Sequence, residues 1–154
     1  MQVNLPFNQI EWSEMMATGI AQIDTQHRYL IDTLRDANAN LPGDRRGTLL
    51  PEVTRMLLNY AIMHFDTEEG LMQRYGYEAA FPDVARQHIA QHRAFSRHVV
   101  IVCDSLREGR PVAKLDLLQY LNNWLRDHIM GIDQLLGAFL RDAQERTGTP
   151  VKPL

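Results

Sequence analysis

Five histidines and two carboxylates of this chain stand at spacings that suit metal ligation. His88 and His92 are four residues apart, which on a helix leaves them about 40° apart in azimuth and roughly 6 Å apart in height. That makes them a chelating pair for one ion. His64 and Glu68 repeat the interval, so Glu68 can reach toward whatever His64 binds. His27 and His128 each add one imidazole from distant segments. Asp133 follows His128 by five residues, roughly 140° round an ideal helix. Gly131 lies between them and lets the helix kink or end, so Asp133 can turn back toward the same axis. Neutral imidazole and carboxylate are natural metal ligands. Seven donors exceed the four that a tetrahedral zinc takes. Two octahedral ions sharing two bridging carboxylates use them all and leave room for a bridging oxygen and one open position. An N/O donor set of this kind favours iron, while ligand type alone leaves manganese and cobalt open.

These residues need elements that aim them at one point, and the sequence supplies four helical periods. The spacing predicts helices over about 21–40, 51–75, 82–108 and 114–130, with a shorter amphipathic piece near 133–144. Leu41-Pro42-Gly43-Asp44, Gly76, Gly109-Arg110-Pro111 and Gly131 punctuate them. Each helix carries one stripe at steps of three and four. The stripes read Ile23, His27, Leu30, Leu34, Ala37; then Val53, Leu57, Tyr60, His64, Glu68, Leu71, Tyr75; then Val84, His88, His92, Phe95, Val99, Val102, Leu106; then Leu118, Leu121, Leu125, His128, Ile132. Four such stripes on antiparallel helices make an all-α, up-down four-helix bundle, with residues 1–20 as an N-terminal arm and 145–154 as a frayed tail. The histidines and Glu68 therefore sit where a core belongs. Burying them without partners costs a few kcal/mol each, roughly, and one ordinary hydrogen bond would satisfy a lone histidine but not five on four helices. A metal centre resolves the conflict.

The bulk composition agrees with one soluble domain over 1–154. The chain has 154 residues, 45% of them hydrophobic and 23% charged, ordinary values for a globular protein. A net charge of -3 gives no electrostatic reason to expect nucleic acid or a membrane as partner. The single cysteine, Cys103, rules out an intramolecular disulfide and points to a reducing, cytoplasmic setting. The first residues lack the basic and apolar runs of a signal peptide.

From Trp12 to about Leu140 the sequence resembles the hemerythrins, and most closely the bacteriohemerythrins. The matching stretches are Gly19-Ile20 leading into Ile23-Asp24-Thr25-Gln26-His27, then His64-Phe65-Asp66-Thr67-Glu68-Glu69, His88-Ile89-Ala90-Gln91-His92 and His128-Ile129-Met130-Gly131-Ile132-Asp133. The resemblance implies a non-haem di-iron centre with an oxo or hydroxo bridge. His88, His92 and His128 would bind one iron, His27 and His64 the other, and Glu68 and Asp133 would bridge them. O₂ would bind reversibly at the vacant position of the two-histidine iron, with Trp124, Leu125 and Ile129 walling its pocket. The implied role is oxygen storage, transport or supply to an O₂-consuming protein, and not an enzyme. Alternatives on the same centre are an O₂ or redox sensor acting through a signalling partner, and a di-iron enzyme handling peroxide or NO. Histidine-rich centres suit carriers and sensors better than oxidases. One departure stands out: many relatives carry Lys and then Tyr after the bridging aspartate, where this chain has Gln134 and Leu136.

Other polar residues read more plainly. Asp24 suits an N-terminal cap of the first helix better than a partner for a ligand. Trp12 anchors the arm. His98 falls off the site face, Cys103 fills apolar space, and Asp66, Glu69, Asp83 and Asp116 read as solvated positions or caps.

Overall fold

The computed structural model describes residues 7–39 and 51–154. The regular elements are α1 (Ala21–Ala39), α2 (Pro51–Tyr75), α3 (Tyr77–Ala80), α4 (Pro82–Arg107), α5 (Lys114–Met130) and α6 (Ile132–Thr147), preceded by one 3₁₀ turn, Glu14–Met16. The expected turn at 41–44 and the side chain of Val53 lie outside the described residues. The four long expected helices are present within a residue of their bounds. The C-terminal helix is longer than expected, and the single turn α3 was not expected at all. It fits between Gly76, whose φ of 74° ends α2, and Pro82, which opens α4 where its missing N–H costs nothing.

The fold is an all-α helical bundle in which α1 packs on α2 and α5, and α2 packs on α4. His27 lies near the start of α1, His64 and Glu68 in the second half of α2, His88 and His92 in the first half of α4, and His128 at the end of α5. Alternating helix direction thus brings all of them to one level. The apolar core is divided at that level. One cluster, including Leu30, Leu34, Leu58, Phe65, Phe95, Leu121 and Leu125, fills the bundle on one side. A second, with Ile20, Ile23, Leu71, Tyr77, Leu136 and Leu140, fills it on the other. Helix α6 belongs to the second cluster and packs on α5, α2 and α4.

Gly131 is what lets α6 turn away from α5. It has φ −105° and ψ −97°, and a Cβ there would stand 2.8 Å from the backbone oxygen of Asp127, a contact that real side chains do not make. Gln134 spans the break, its Nε2 donating to the carbonyls of Ile129 (3.0 Å) and Met16 (3.1 Å). Leu136 is fully buried in the second cluster.

The arm is fastened to the bundle by polar side chains. Ile10 N–H donates to Asn122 Oδ1 at 2.6 Å, and Asn122 Nδ2 donates to the Asn8 carbonyl at 2.8 Å. Trp12 packs against the larger cluster with the Arg28 guanidinium 4.5 Å from its ring centroid, a cation–π contact. Asp24 takes Thr18 N–H and Oγ1–H, both at 2.8 Å, and Gly19 N–H at 3.2 Å, so it fastens the segment entering α1. The tail, expected to be frayed, runs back over α1 and α2. Lys152 N–H donates to Tyr75 Oη, Leu154 N–H to Gln22 Oε1, and Arg74 to the Lys152 and Pro153 carbonyls.

Candidate metal centre

All seven side chains singled out by spacing meet in the layer between the two apolar clusters, and every one is buried. They form two groups, each able to hold a metal ion: Glu68, His88, His92 and His128, and His27, His64, Glu68 and Asp133. Each carboxylate divides its oxygens between the groups. Glu68 Oε1 lies 2.9 Å from His64 Nε2 and 3.4 Å from His27 Nε2, while Oε2 lies 3.0 Å from His92 and 3.1 Å from His88. Asp133 Oδ2 lies 3.0 Å from His27 Nε2, while Oδ1 lies 3.0 Å from both His88 and His128. The break at Gly131 thus does what the five-residue interval from His128 required.

The distances are those of ordinary hydrogen bonds, but several of the buried atoms find no properly directed partner among their neighbours. Nε2 of His27 and His64, Oε1 of Glu68 and both oxygens of Asp133 are buried with no hydrogen-bond partner despite their near neighbours. Nε2 of His92 and of His128 face each other at 3.1 Å. Two imidazole nitrogens bound at right angles to one ion, each at about 2.1 Å, stand about 3 Å apart. A shared cation is the partner that satisfies both the orphaned atoms and the facing lone pairs. The residues present fit two metal ions.

The electrostatics carry the same mark. At His27 burial opposes charge, yet the Asp133 and Glu68 carboxylates outweigh it and raise the pKa from 6.5 to about 9. At His128 they raise the value to about 10, and His88 is raised as well. At His64 burial prevails and the pKa falls. Burial pushes Glu68 and Asp133 upward, but the surrounding imidazoles hold both well below the usual carboxylate range.

Three imidazoles are oriented from behind. His64 Nδ1 meets Gln26 Oε1 at 2.7 Å, and Gln26 Nε2 donates in turn to Thr67 Oγ1 at 3.1 Å. His128 Nδ1 meets Gln91 Oε1 at 2.8 Å. His92 Nδ1 meets Glu69 Oε2 at 3.1 Å. In a neutral ring such acceptors hold the proton on Nδ1 and leave the Nε2 lone pair aimed inward. Sequence reasoning missed all three, and the assignment of Glu69 to a solvated position is corrected: its side chain is only 19% exposed and faces α4. The available signal was adjacency, since each of the three sits beside a candidate ligand, on the edge of a stripe.

Above the layer lies a cavity of about 20 Å³ lined only by apolar side chains, among them Leu30, Ala61, Phe65, Trp124 and Leu125. Its size suits one small molecule, and a water there would find no hydrogen-bond partner. Phe65 stacks on His92 (ring centroids 4.1 Å) and Trp124 on His128 (4.4 Å), so two of its walls rest on the imidazoles. Two of the three expected pocket residues line it. Ile129 is fully buried in the same cluster but is not among the lining residues. His98 stacks on Tyr120 (4.0 Å), away from the centre, and Cys103 is half-buried against the core. Among the described residues no helix is long and apolar enough to cross a membrane.

Comparison with known proteins agrees with this geometry. The model of the hemerythrin HHE cation binding domain matches residues 18–140, a span that contains all seven donors. A bacteriohemerythrin of Pseudomonas aeruginosa is 30% identical over 122 residues, covering 79% of this chain and 75% of that protein. One of Stenotrophomonas maltophilia is 31% identical over 123 residues, 80% of this chain and 76% of its own length. One of Methylococcus capsulatus is 27% identical over 127 residues, 80% of this chain and 89% of its own length. With seven buried donors at one level of a helical bundle and a family match across most of its length, the chain belongs to the hemerythrin family.

Proposed function

We propose that this chain holds a pair of non-haem iron ions and binds O₂ reversibly, as a carrier or store and not as an enzyme. The observation that carries the reading is the division of the two carboxylates, one oxygen of each facing His27 or His64 and the other facing the three remaining imidazoles. His88, His92 and His128 would hold one iron, His27 and His64 the other, with Glu68 and Asp133 bridging and an oxo or hydroxo group completing the pair. An iron pair held by these residues would supply the electrons for reversible O₂ binding.

The remaining work falls to the protein. Reversibility requires that no stray proton or reductant reach the bound gas, and the cavity beside the centre offers none. Its walls are Leu, Ala, Phe and Trp side chains without a titratable group. Phe65 and Trp124 hold His92 and His128 flat against the cavity, which fixes the rings while excluding water. An enzyme turning over peroxide or NO needs a proton donor at this wall, so the carrier reading is the better match. The relatives' shared name, bacteriohemerythrin, supports it.

The test is a cycle of gas exchange. Reduced, iron-loaded protein should be nearly colourless, turn pink-red in air and bleach again under argon over repeated cycles. A single irreversible passage to a ferric spectrum, or turnover of peroxide beyond one equivalent per centre, would refute the carrier reading.

A further inference from the structure

Of the five imidazoles, His92 is the one whose outer nitrogen faces a carboxylate. Glu69 Oε2 lies 3.1 Å from His92 Nδ1, and the other carboxylate oxygen accepts from Arg93 at 3.0 Å. The corresponding contact on the other side of the centre is an amide, Gln26 Oε1 on His64 Nδ1 at 2.7 Å. These contacts belong to different metal positions: His92 groups with His88 and His128, His64 with His27 and Asp133. The inference rests on the two-ion reading given above.

We propose that Glu69 is a positioning residue for one metal position only, the one built by His88, His92 and His128. It accepts the Nδ1–H of His92 and so fixes the tautomer in which Nε2 carries a lone pair directed inward. Without it the His92 ring can carry its proton on Nε2, the atom that stands 3.0 Å from Glu68 Oε2 and 3.1 Å from His128 Nε2. A proton there competes directly with the ion. Arg93, itself exposed, holds the carboxylate in place from the solvent side. Phe65, stacked on a face of the imidazole, limits its tilt but cannot choose its tautomer. The Gln26 amide performs the same office for His64 and, through Thr67, is tied back into α2. The two positions are therefore supported separately, one through Glu69 and, at His128, Gln91, the other through Gln26.

Glu69 borders an open groove of about 710 Å³ shared with Met72, Gln73, Ala85 and Ile89, so a side chain of similar size fits there without disturbing the bundle. Glu69→Leu removes the acceptor and Glu69→Gln keeps it. The experiment titrates the metal-free full chain with Zn²⁺ by calorimetry and follows histidine N–H signals by NMR in the diamagnetic, Zn²⁺-loaded protein. Wild type should bind two equivalents and show a slowly exchanging His92 Nδ1–H. Glu69→Leu should weaken one equivalent by about 10–100-fold, the usual scale for losing such an outer partner. It should abolish that N–H signal and leave the second equivalent unchanged. Glu69→Gln should recover most of the loss. Gln26→Leu should weaken the other equivalent while the His92 signal persists. The proposal is overturned if Glu69→Leu weakens both equivalents alike or neither, or if the His92 Nδ1–H survives it. Wild type binding fewer than two equivalents would overturn the two-ion reading, and this inference with it, before any variant is compared.

Discussion

The centre is made of residues whose protonation and metal binding exclude each other. His27 at about 9 and His128 at about 10 both carry protons at neutral pH when no cation takes their place. Ligation requires them neutral, so loading releases protons and apparent metal affinity should rise steadily from pH 6 to about 9. For the metal-free chain the sign is opposite. Histidines with raised pKa stabilise fully below their unfolded value of 6.5, and that contribution is lost as pH rises through about 9 and 10. Glu68 and Asp133, held low, stabilise above the ordinary carboxylate range and lose that contribution in acid. The metal-free melting temperature should therefore peak near pH 5–6.5 and fall toward pH 9, while the loaded protein gains over the same interval; paired thermal scans decide it. His92→Ala should lose metal from its position and leave Glu68 and His128 unpaired, and metal analysis that still finds two ions would reject its role. Leu125→Ala should cost about 2–5 kcal/mol, keep both irons and speed irreversible oxidation by opening the dry wall, as spectra in air would record. Spacing made the seven inward donors legible because four-residue steps and stripe positions are fixed by helix geometry. Glu69, Gln91 and Gln26 were not legible as partners. Whether a polar residue on a stripe's edge meets solvent or the next helix depends on a few tens of degrees of rotation, which packing sets.

At the scale of elements, the junction of α5 and α6 decides whether Asp133 reaches the centre. Gly131→Ala would set a Cβ against the Asp127 carbonyl oxygen. That should cost about 1–3 kcal/mol as overpacking and loosen metal binding by displacing Asp133. Unaltered stability and metal content would mean the break is not needed. Asn122 is the comparable residue for the arm: replacing it with Ala strands the buried Ile10 N–H, a loss of about 1–3 kcal/mol. The arm should then exchange its amides faster, with iron retained. Helix bounds were readable from proline and glycine punctuation, and the need for a bend at Gly131 from the five-residue interval after His128. The single turn α3 was not readable, because the five residues between Gly76 and Pro82 are too few for a periodic signal. Nor was the course of the tail, which rests on side-chain contacts with Gln22, Arg74 and Tyr75 from distant parts of the sequence.

For the whole molecule, a layer of seven polar side chains divides what would otherwise be one continuous core. Such a layer costs stability when left uncompensated, so metal binding and folding share the same free energy. Chelation should lower the melting temperature far more than it lowers helix content at room temperature. The most direct test of the central claim is a count of iron per chain joined to Mössbauer and X-ray absorption spectra of the loaded protein. Two irons per chain, close enough to show iron–iron scattering and surrounded mainly by imidazole, is the expected result. A single iron, or two irons without a common bridge, would contradict it.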